Sequence, residues 1–327
     1  MNYRTLGKTN YKISEVSFGG WAIGGTWGNV DDATSMIALE HAVDLGVNFF
    51  DTADVYGDGR SERLIGKLAK SKKQKIYIAT KAGRRIDPHV AEGYKIETIR
   101  EHIERSLKNL DVDCLDLLQL HCPPTPVYEN EMLFYGLSQL KKEGLIAHYG
   151  VSVETMDEAL TALQYDELAS IQLIYNMFRL KPEDKLLTEA KNKNVGIIAR
   201  VPLASGMLTG KMKKDTHFAK DDHRSFNRHG EAFDKGETFS GVDYDLGLDA
   251  VEELKKLKPE SMTMAQFALK WILMNDSVSC VIPGGKNKEQ VSQNVASSDF
   301  ERLSPETMVK VKEIYDKYIR SSVHGLW

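Results

Sequence analysis

The sequence predicts an α/β chain of the (β/α)8 type, a TIM barrel with an N-terminal β-hairpin and extra loops at its C-terminal face. Three observations lead there. Eight short runs rich in β-branched residues alternate with longer stretches of helical period. No shift in composition divides the 327 residues, so residues 1–327 read as one barrel domain. Ionisable, polar or glycine residues recur at the same end of nearly every run, the end at which such barrels build their sites.

Met1–Ser14 reads as a small hairpin ahead of the barrel. The eight strands are then expected at Glu15–Trp21, Val47–Thr52, Lys75–Lys81, Leu115–His121, Ala147–Val153, Ser170–Asn176, Val195–Pro202 and Ser279–Pro283. They are short apolar runs, as in a parallel sheet covered by helices on its outer face. Ala33–Leu45 has helical period and is closed by Gly46 at a C-cap position. Glu97–Leu110 places Ile99, Ile103, Leu107 and Leu110 three to four apart, which makes one apolar stripe. Met132–Glu143 ends at Gly144, and Thr263–Met274 starts with a Thr that can cap it. Phe218–Asp245 interrupts the rhythm as a long polar loop containing glycines, a length that is usually functional or disordered.

Composition narrows the function classes. Lys plus Arg is 43 and Asp plus Glu is 47, so the formal net charge is −4 and gives no electrostatic case for nucleic acid. The three cysteines are odd in number and form no C-x-x-C pair, which argues against a disulfide framework and a cysteine zinc site. The nine histidines show no metal-ligand spacing. Met1–Lys12 has no run resembling a signal peptide, and no stretch approaches the roughly 20 apolar residues of a membrane span. A cytoplasmic protein without membrane or nucleic-acid partners is expected.

The strand ends carry the chemistry. They are Gly19-Gly20-Trp21, Asp51 running into Tyr56, Thr80-Lys81, His121, Ser152, Gln172 with Asn176, Arg200, and Pro283-Gly284-Gly285-Lys286. Alone, each has a bland explanation: an Asp at a strand end caps a turn, a Lys is a solvated edge, a His is structural and a loop Tyr packs. Their joint placement on one face is harder to explain that way. Lys81 ends an apolar run and needs a partner, which Asp51 on the adjacent strand can supply. A cation near Tyr56 is expected to lower the phenol's pKa from its ordinary value of about 10 and fit it for general acid work. His121 can donate a hydrogen bond to a carbonyl oxygen.

These residues resemble the aldo-keto reductase family, in its bacterial type. The likeness runs from Tyr3-Arg4-Thr5-Leu6-Gly7 to Asn294. Its most specific pieces are Asp51-Thr52-Ala53-Asp54-Val55-Tyr56-Gly57 with Ser61-Glu62, then Thr80-Lys81, then Asp116-Leu117-Leu118-Gln119-Leu120-His121. The resemblance implies hydride transfer from a reduced nicotinamide to an aldehyde or ketone, with Tyr56 as proton donor. Lys81 and Asp51 would tune Tyr56, and His121 would orient the carbonyl. Trp21, Tyr56 and His121 would face the substrate.

The resemblance also implies a dinucleotide path. Gly20 and Trp21 border it, Ser152 and Gln172 hold the carboxamide, and Arg200 takes a place where many members carry an aromatic. Pro202, Leu203, Ala204, Ser205 and Gly206, with Leu208, Gly210 and Lys211, embrace the pyrophosphate. Gly284, Gly285, Lys286, Gln290, Gln293 and Asn294 form the adenosine end. Lys286 favours NADP(H) over NAD(H), although Gly284 stands where many members have Lys and Gln290 where many have Arg. A monomer is the family's default, and some relatives are non-catalytic, so the competing reading is an NADP-binding regulatory subunit or redox sensor.

Other motifs fail. Gly7-Lys8-Thr9 lacks the glycine a P-loop needs at position 2, where Asn stands, and there is no G-x-G-x-x-G and no H-E-x-x-H. Cys122 beside His121 reads as a small buried filler ahead of a nucleophile.

Overall fold

The computed structural model describes residues 1–25, 30–220 and 222–327. The chain opens with an antiparallel hairpin, β1 (Tyr3–Thr5) and β2 (Lys12–Ser14). Eight parallel strands follow: β3 (Phe18–Gly19), β4 (Phe49–Asp51), β5 (Tyr77–Ala82), β6 (Leu117–His121), β7 (Tyr149–Ser152), β8 (Leu168–Ile174), β9 (Gly196–Arg200) and β10 (Val278–Val281). Each pairs with its sequence neighbour. The two edges then meet: Val281 donates to the Glu15 carbonyl at 2.9 Å, Ser17 to Val281 at 2.9 Å and Gly19 to Pro283 at 3.1 Å. Closing the sheet leaves no exposed edge to pair with another chain.

All eight expected strands are present, generally shorter than read. The largest difference is at the first, where only Phe18–Gly19 pairs as strand and Trp21 opens a short helix, Trp21–Gly24. Gly20, in a turn conformation, ends the strand there. The four expected helices lie at Asp32–Asp44, Ile96–Leu110, Glu131–Lys142 and Met264–Leu273. Thr263 forms a full capping box with Gln266, and Gly46 adopts the left-handed conformation expected after a helix end. Helices at Arg60–Ser71, Met156–Ala162, Leu186–Asn192, Tyr244–Leu257, Lys288–Ala296 and Pro305–Tyr318 complete the outer layer.

Two apolar bodies hold this together. One fills the barrel bore with Phe49, Ala79, Leu117, Ile198 and Cys280, and the hairpin region plugs it with Leu6 and Ile13. The other lies between sheet and helices, where Ile99, Ile103 and Leu110 of the expected stripe are fully buried. Each such aliphatic side chain contributes roughly 1.5–3 kcal/mol relative to exposure. Among the described residues no helix is long and apolar enough to cross a membrane.

The polar stretch 218–245 is not a solvated loop. It contains short helical turns at His223–Phe226, Lys235–Glu237 and Phe239–Gly241, and the helix Tyr244–Leu257 begins within it. Its polar residues Asn227, Thr238 and Ser240 are buried because they bond inward, with Asn176 donating to Ser240 at 2.8 Å and Asn227 accepting from Ala232 and Phe233.

Candidate active site

Strand register puts the candidate groups at one level. Gly19 pairs with Asp51, Lys81 with Gln119, and His121 with Ser152, which in turn pairs with Gln172. Asp51 and Lys81 form a buried ion pair at 2.5 Å, with side chains only 3% and 1% exposed. Lys81 also donates to the Thr52 carbonyl at 2.8 Å and reaches the Tyr56 hydroxyl at 3.5 Å. The second Asp51 oxygen accepts from Gln172 at 2.7 Å and Gln119 at 3.0 Å. Both oxygens of this carboxylate therefore have partners, which is what a charge held out of water requires.

Tyr56 differs from the sequence expectation. Burial pushes its phenol above its ordinary pKa, and Lys81 opposes this without overcoming it. The reason is that Lys81 is itself neutralised by Asp51, so Tyr56 feels the pair more than a bare cation. Tyr56 is therefore a protonated phenol at neutral pH. The His121 ring lies edge-on to Tyr56 with centroids 5.9 Å apart, and burial together with Arg84, Lys81 and Arg200 holds its pKa well below the ordinary value. His121 is neutral, and its buried Nδ1 has no hydrogen-bond partner among the described residues. Trp21 stacks on Tyr56 at 6.1 Å.

Trp21, Asp51, Tyr56 and His121 form the floor of a cavity of about 860 Å³, which Lys81 itself does not line. It runs from Trp21, Asp51, Tyr56 and His121 past Ser152, Gln172 and Arg200 to the Gly284–Lys286 turn and the helix Lys288–Ala296. Of the expected dinucleotide residues, Trp21, Ser152, Gln172, Arg200, Pro202, Leu203, Ser205, Gly206, Lys211, Gly284, Gly285, Lys286, Gln290, Gln293 and Asn294 line it. Gly20, Ala204, Leu208 and Gly210 do not. Ala204 and Leu208 are fully buried in the core, and Gly20 donates to the Asp51 carbonyl at 2.7 Å as a packing residue. Gln172 spends its amide on Asp51 and on the Gln119 carbonyl oxygen, so its placement here is structural as well as lining.

The far end suits an extended anion. Val201, Ala204, Ser205 and Gly206 all have positive φ, which folds the 201–206 backbone into a tight turn over the cavity. Among the described residues the amides of Gly284 and Gly285 donate to no backbone or side-chain acceptor. A Cβ at Gly284 would meet nothing closer than 3.6 Å, whereas one at Gly285 would sit 2.8 Å from Val291. Lys211 and Lys286 add positive charge, and Asn294 fixes the turn by donating to the Gly284 carbonyl at 3.1 Å.

Arg200 lines the cavity with its charge already paired. It forms a buried ion pair with Glu237 and donates to the Val153 carbonyl at 2.9 Å. The sequence reading missed Glu237, since a residue 37 positions away in a polar stretch gives no signal. It also missed Arg84, which lines the cavity, bonds the His121 carbonyl at 3.4 Å and pairs with Glu154 at 3.0 Å. Gln119 did leave a signal, being a lone amide inside Leu117-Leu118-Gln119-Leu120. Among the described residues no group of three His, Cys, Asp or Glu side chains is placed to hold a metal ion.

Comparison with known proteins accords with this geometry. The Aldo/keto reductase family matches residues 15–316. The aldo-keto reductase YhdN of Bacillus subtilis (strain 168) is 31% identical over 301 residues, 89% of this chain and 87% of that protein. A probable voltage-gated potassium channel subunit beta of Arabidopsis thaliana is 31% identical over 336 residues, 96% of each chain. Among solved structures, the glycerol dehydrogenase AKR11B4 of Gluconobacter oxydans superposes with a TM-score of 0.79 at 30% identity, over 97% of this chain and 96% of that one. With the barrel, the buried Asp51–Lys81–Tyr56 group and a family match over nearly its whole length, this chain belongs to the Aldo/keto reductase family.

Proposed function

We propose that the protein reduces an aldehyde or ketone to the alcohol with NADPH, and that Tyr56 is the proton donor. The observation that carries this is the hydrogen-bonded line Asp51–Lys81–Tyr56 beside a neutral His121 on the cavity floor. Ser152, Gln172 and the Gly284–Lys286 turn would hold a reduced nicotinamide dinucleotide, which would supply the hydride for the carbonyl carbon. The chain supplies the rest. His121, uncharged, donates a hydrogen bond that orients and polarises the carbonyl oxygen. Tyr56, protonated, hands its proton to the oxygen as negative charge develops there. Lys81 steadies the phenolate left behind, and Asp51 keeps Lys81 charged and in place. Trp21 walls the pocket and helps exclude water. Lys286 and the Gly284–Gly285 amides suit the adenosine phosphate, which favours NADPH over NADH, while Lys211 and the 202–206 turn suit the pyrophosphate.

The test is direct. The purified protein should oxidise NADPH in the presence of aldehydes, ketones or α-dicarbonyls, and Tyr56→Phe should lower kcat by about 10² to 10⁴-fold with the fold intact. Unchanged turnover in Tyr56→Phe would remove Tyr56 from the role of acid.

A second reading has one observation in its favour, the likeness to the Arabidopsis channel subunit beta over 96% of the chain. It makes the protein an NADP-binding regulatory subunit. Tight NADPH binding with no turnover across the whole panel would select it.

A further inference from the structure

The roof of the cavity is held from outside by a cluster remote from the reacting groups. Trp327 is 6% exposed although it lies at the surface end of the barrel. Its ring stacks on the Arg179 guanidinium at 3.5 Å, and Lys235 approaches the same ring at 5.5 Å. Its indole N–H donates to both carboxylate oxygens of Asp234 at 3.1 Å. Asp234 also caps the next turn by accepting from the Gly236 amide at 2.7 Å. Gly236 and Gly241 press directly on this cluster. A Cβ at Gly236 would sit 2.4 Å from an Arg179 nitrogen, and one at Gly241 would sit 2.3 Å from the Trp327 ring. The 234–241 backbone is thus moulded around Trp327 and Arg179.

The same segment carries two side chains into the cavity. Phe233, immediately before Asp234, packs edge-on to Trp21 with centroids 6.0 Å apart. Glu237, three residues after it, provides the buried counter-ion of Arg200. Both directions are fixed by the turn that Asp234 and Gly236 make. Moving Asp234 would shift the aromatic wall facing Tyr56 and would uncouple Arg200 from its carboxylate.

We propose that Trp327, Arg179 and Asp234 are positioning residues that set the substrate-facing wall made by Phe233 and the Arg200–Glu237 pair. The Trp21–Phe233 wall beside Tyr56 then selects carbonyl substrates with a flat apolar or aromatic group over those of two or three carbons. Energetically, the cluster joins a desolvated cation–π stack to a hydrogen bond accepted by a carboxylate, two of the stronger contacts a single side chain can make.

The substrate arm rests on the reductase reading, and the experiment separates the two. The full chain is prepared as wild type, Trp327→Ala and Trp327→Phe. Trypsin cleavage at Arg228 and Lys235 is followed without substrate, and KM is measured with NADPH for benzaldehyde and for glyceraldehyde. Trp327→Ala should raise the cleavage rate and the benzaldehyde KM by roughly tenfold each, as expected for loss of about 1.4 kcal/mol of positioning energy. Glyceraldehyde kinetics should stay within about twofold. Trp327→Phe keeps the stack but not the N–H donor, so it should restore most of the protection and most of the affinity. Wild-type cleavage in Trp327→Ala, or equal rises in KM for both aldehydes, would overturn the proposal. If the wild type reduces neither aldehyde, the reductase reading is at fault, and the cleavage comparison alone decides the positioning role.

Discussion

Replacing Asp51 with Asn tests the centre of the site through stability as well as activity. The carboxylate serves Lys81 with one oxygen and Gln119 and Gln172 with the other. An amide has a single oxygen, so either Lys81 or the two glutamines lose their acceptor, and an N–H₂ group is set against a donor. Lys81 is then a 1% exposed ammonium left with the Thr52 carbonyl. Removing one partner of a buried pair costs about 3–5 kcal/mol. Asp51→Asn should therefore lose that much in urea unfolding at 25 °C and pH 6. Lys81→Met should relieve part of the deficit when combined with it, because the orphaned charge is gone. The deficit should also depend on pH with a definite sign. In the wild type Asp51 raises the Lys81 pKa, so Lys81 stays charged, and its contribution is lost only as pH rises through that raised value. In the variant burial acts alone and depresses the Lys81 pKa, so the unfolded chain binds the extra proton. Stability of the variant then rises with pH, by up to about 1.4 kcal/mol per pH unit between its folded and unfolded pKa values. A deficit below about 1 kcal/mol, or one that is constant from pH 6 to 9, would refute the account of Asp51 as the counter-ion that keeps Lys81 charged.

Two further expectations follow from the geometry. Lys286→Ala should weaken NADPH by about tenfold, the worth of one charge-assisted hydrogen bond, while NADH changes by less than about twofold; equal losses in a fluorescence titration would put the 2′-phosphate elsewhere. Asp54 is fully buried, neither carboxylate oxygen has a hydrogen-bond partner among the described residues, and burial with Glu62 nearby pushes its pKa up to about 7. Its folded state holds a proton that the unfolded chain releases, so it makes wild-type stability decline as pH rises from about 4 to about 7. Asp54→Asn should flatten that decline and stabilise the protein at pH 8, and an unchanged pH profile would show that Asp54 finds a partner in solution.

Much of the fold was legible because barrels repeat one local rule. Each strand is a short buried run, the four expected helices show their period or their cap, and Thr263, Gly46 and the Ile99–Ile103–Leu110 stripe behave as local chemistry requires, whereas the six further helices of the outer layer were not read. Strand ends were less legible. Trp21 looked like strand because its neighbours are apolar, yet the turn at Gly20 sends it into a helix. The stretch 218–245 was read only as a long polar loop, because polarity alone does not reveal inward hydrogen bonds such as those of Asn227 and Ser240.

The sequence by itself determined which polar groups gather on one rim. Asp51, Tyr56, Lys81 and His121 stand at the ends of successive strands or just beyond, and a parallel barrel must gather such positions on one rim. Tertiary structure decided their electrostatic state and their surroundings. Whether Tyr56 sits above or below its ordinary pKa depends on burial weighed against a Lys81 already neutralised by Asp51. The partner of Arg200 is Glu237, three residues beyond Asp234, whose carboxylate accepts from the Trp327 indole at the far end of the chain. Desolvation and long-range pairing depend on which surfaces meet, and no local pattern of residues encodes that.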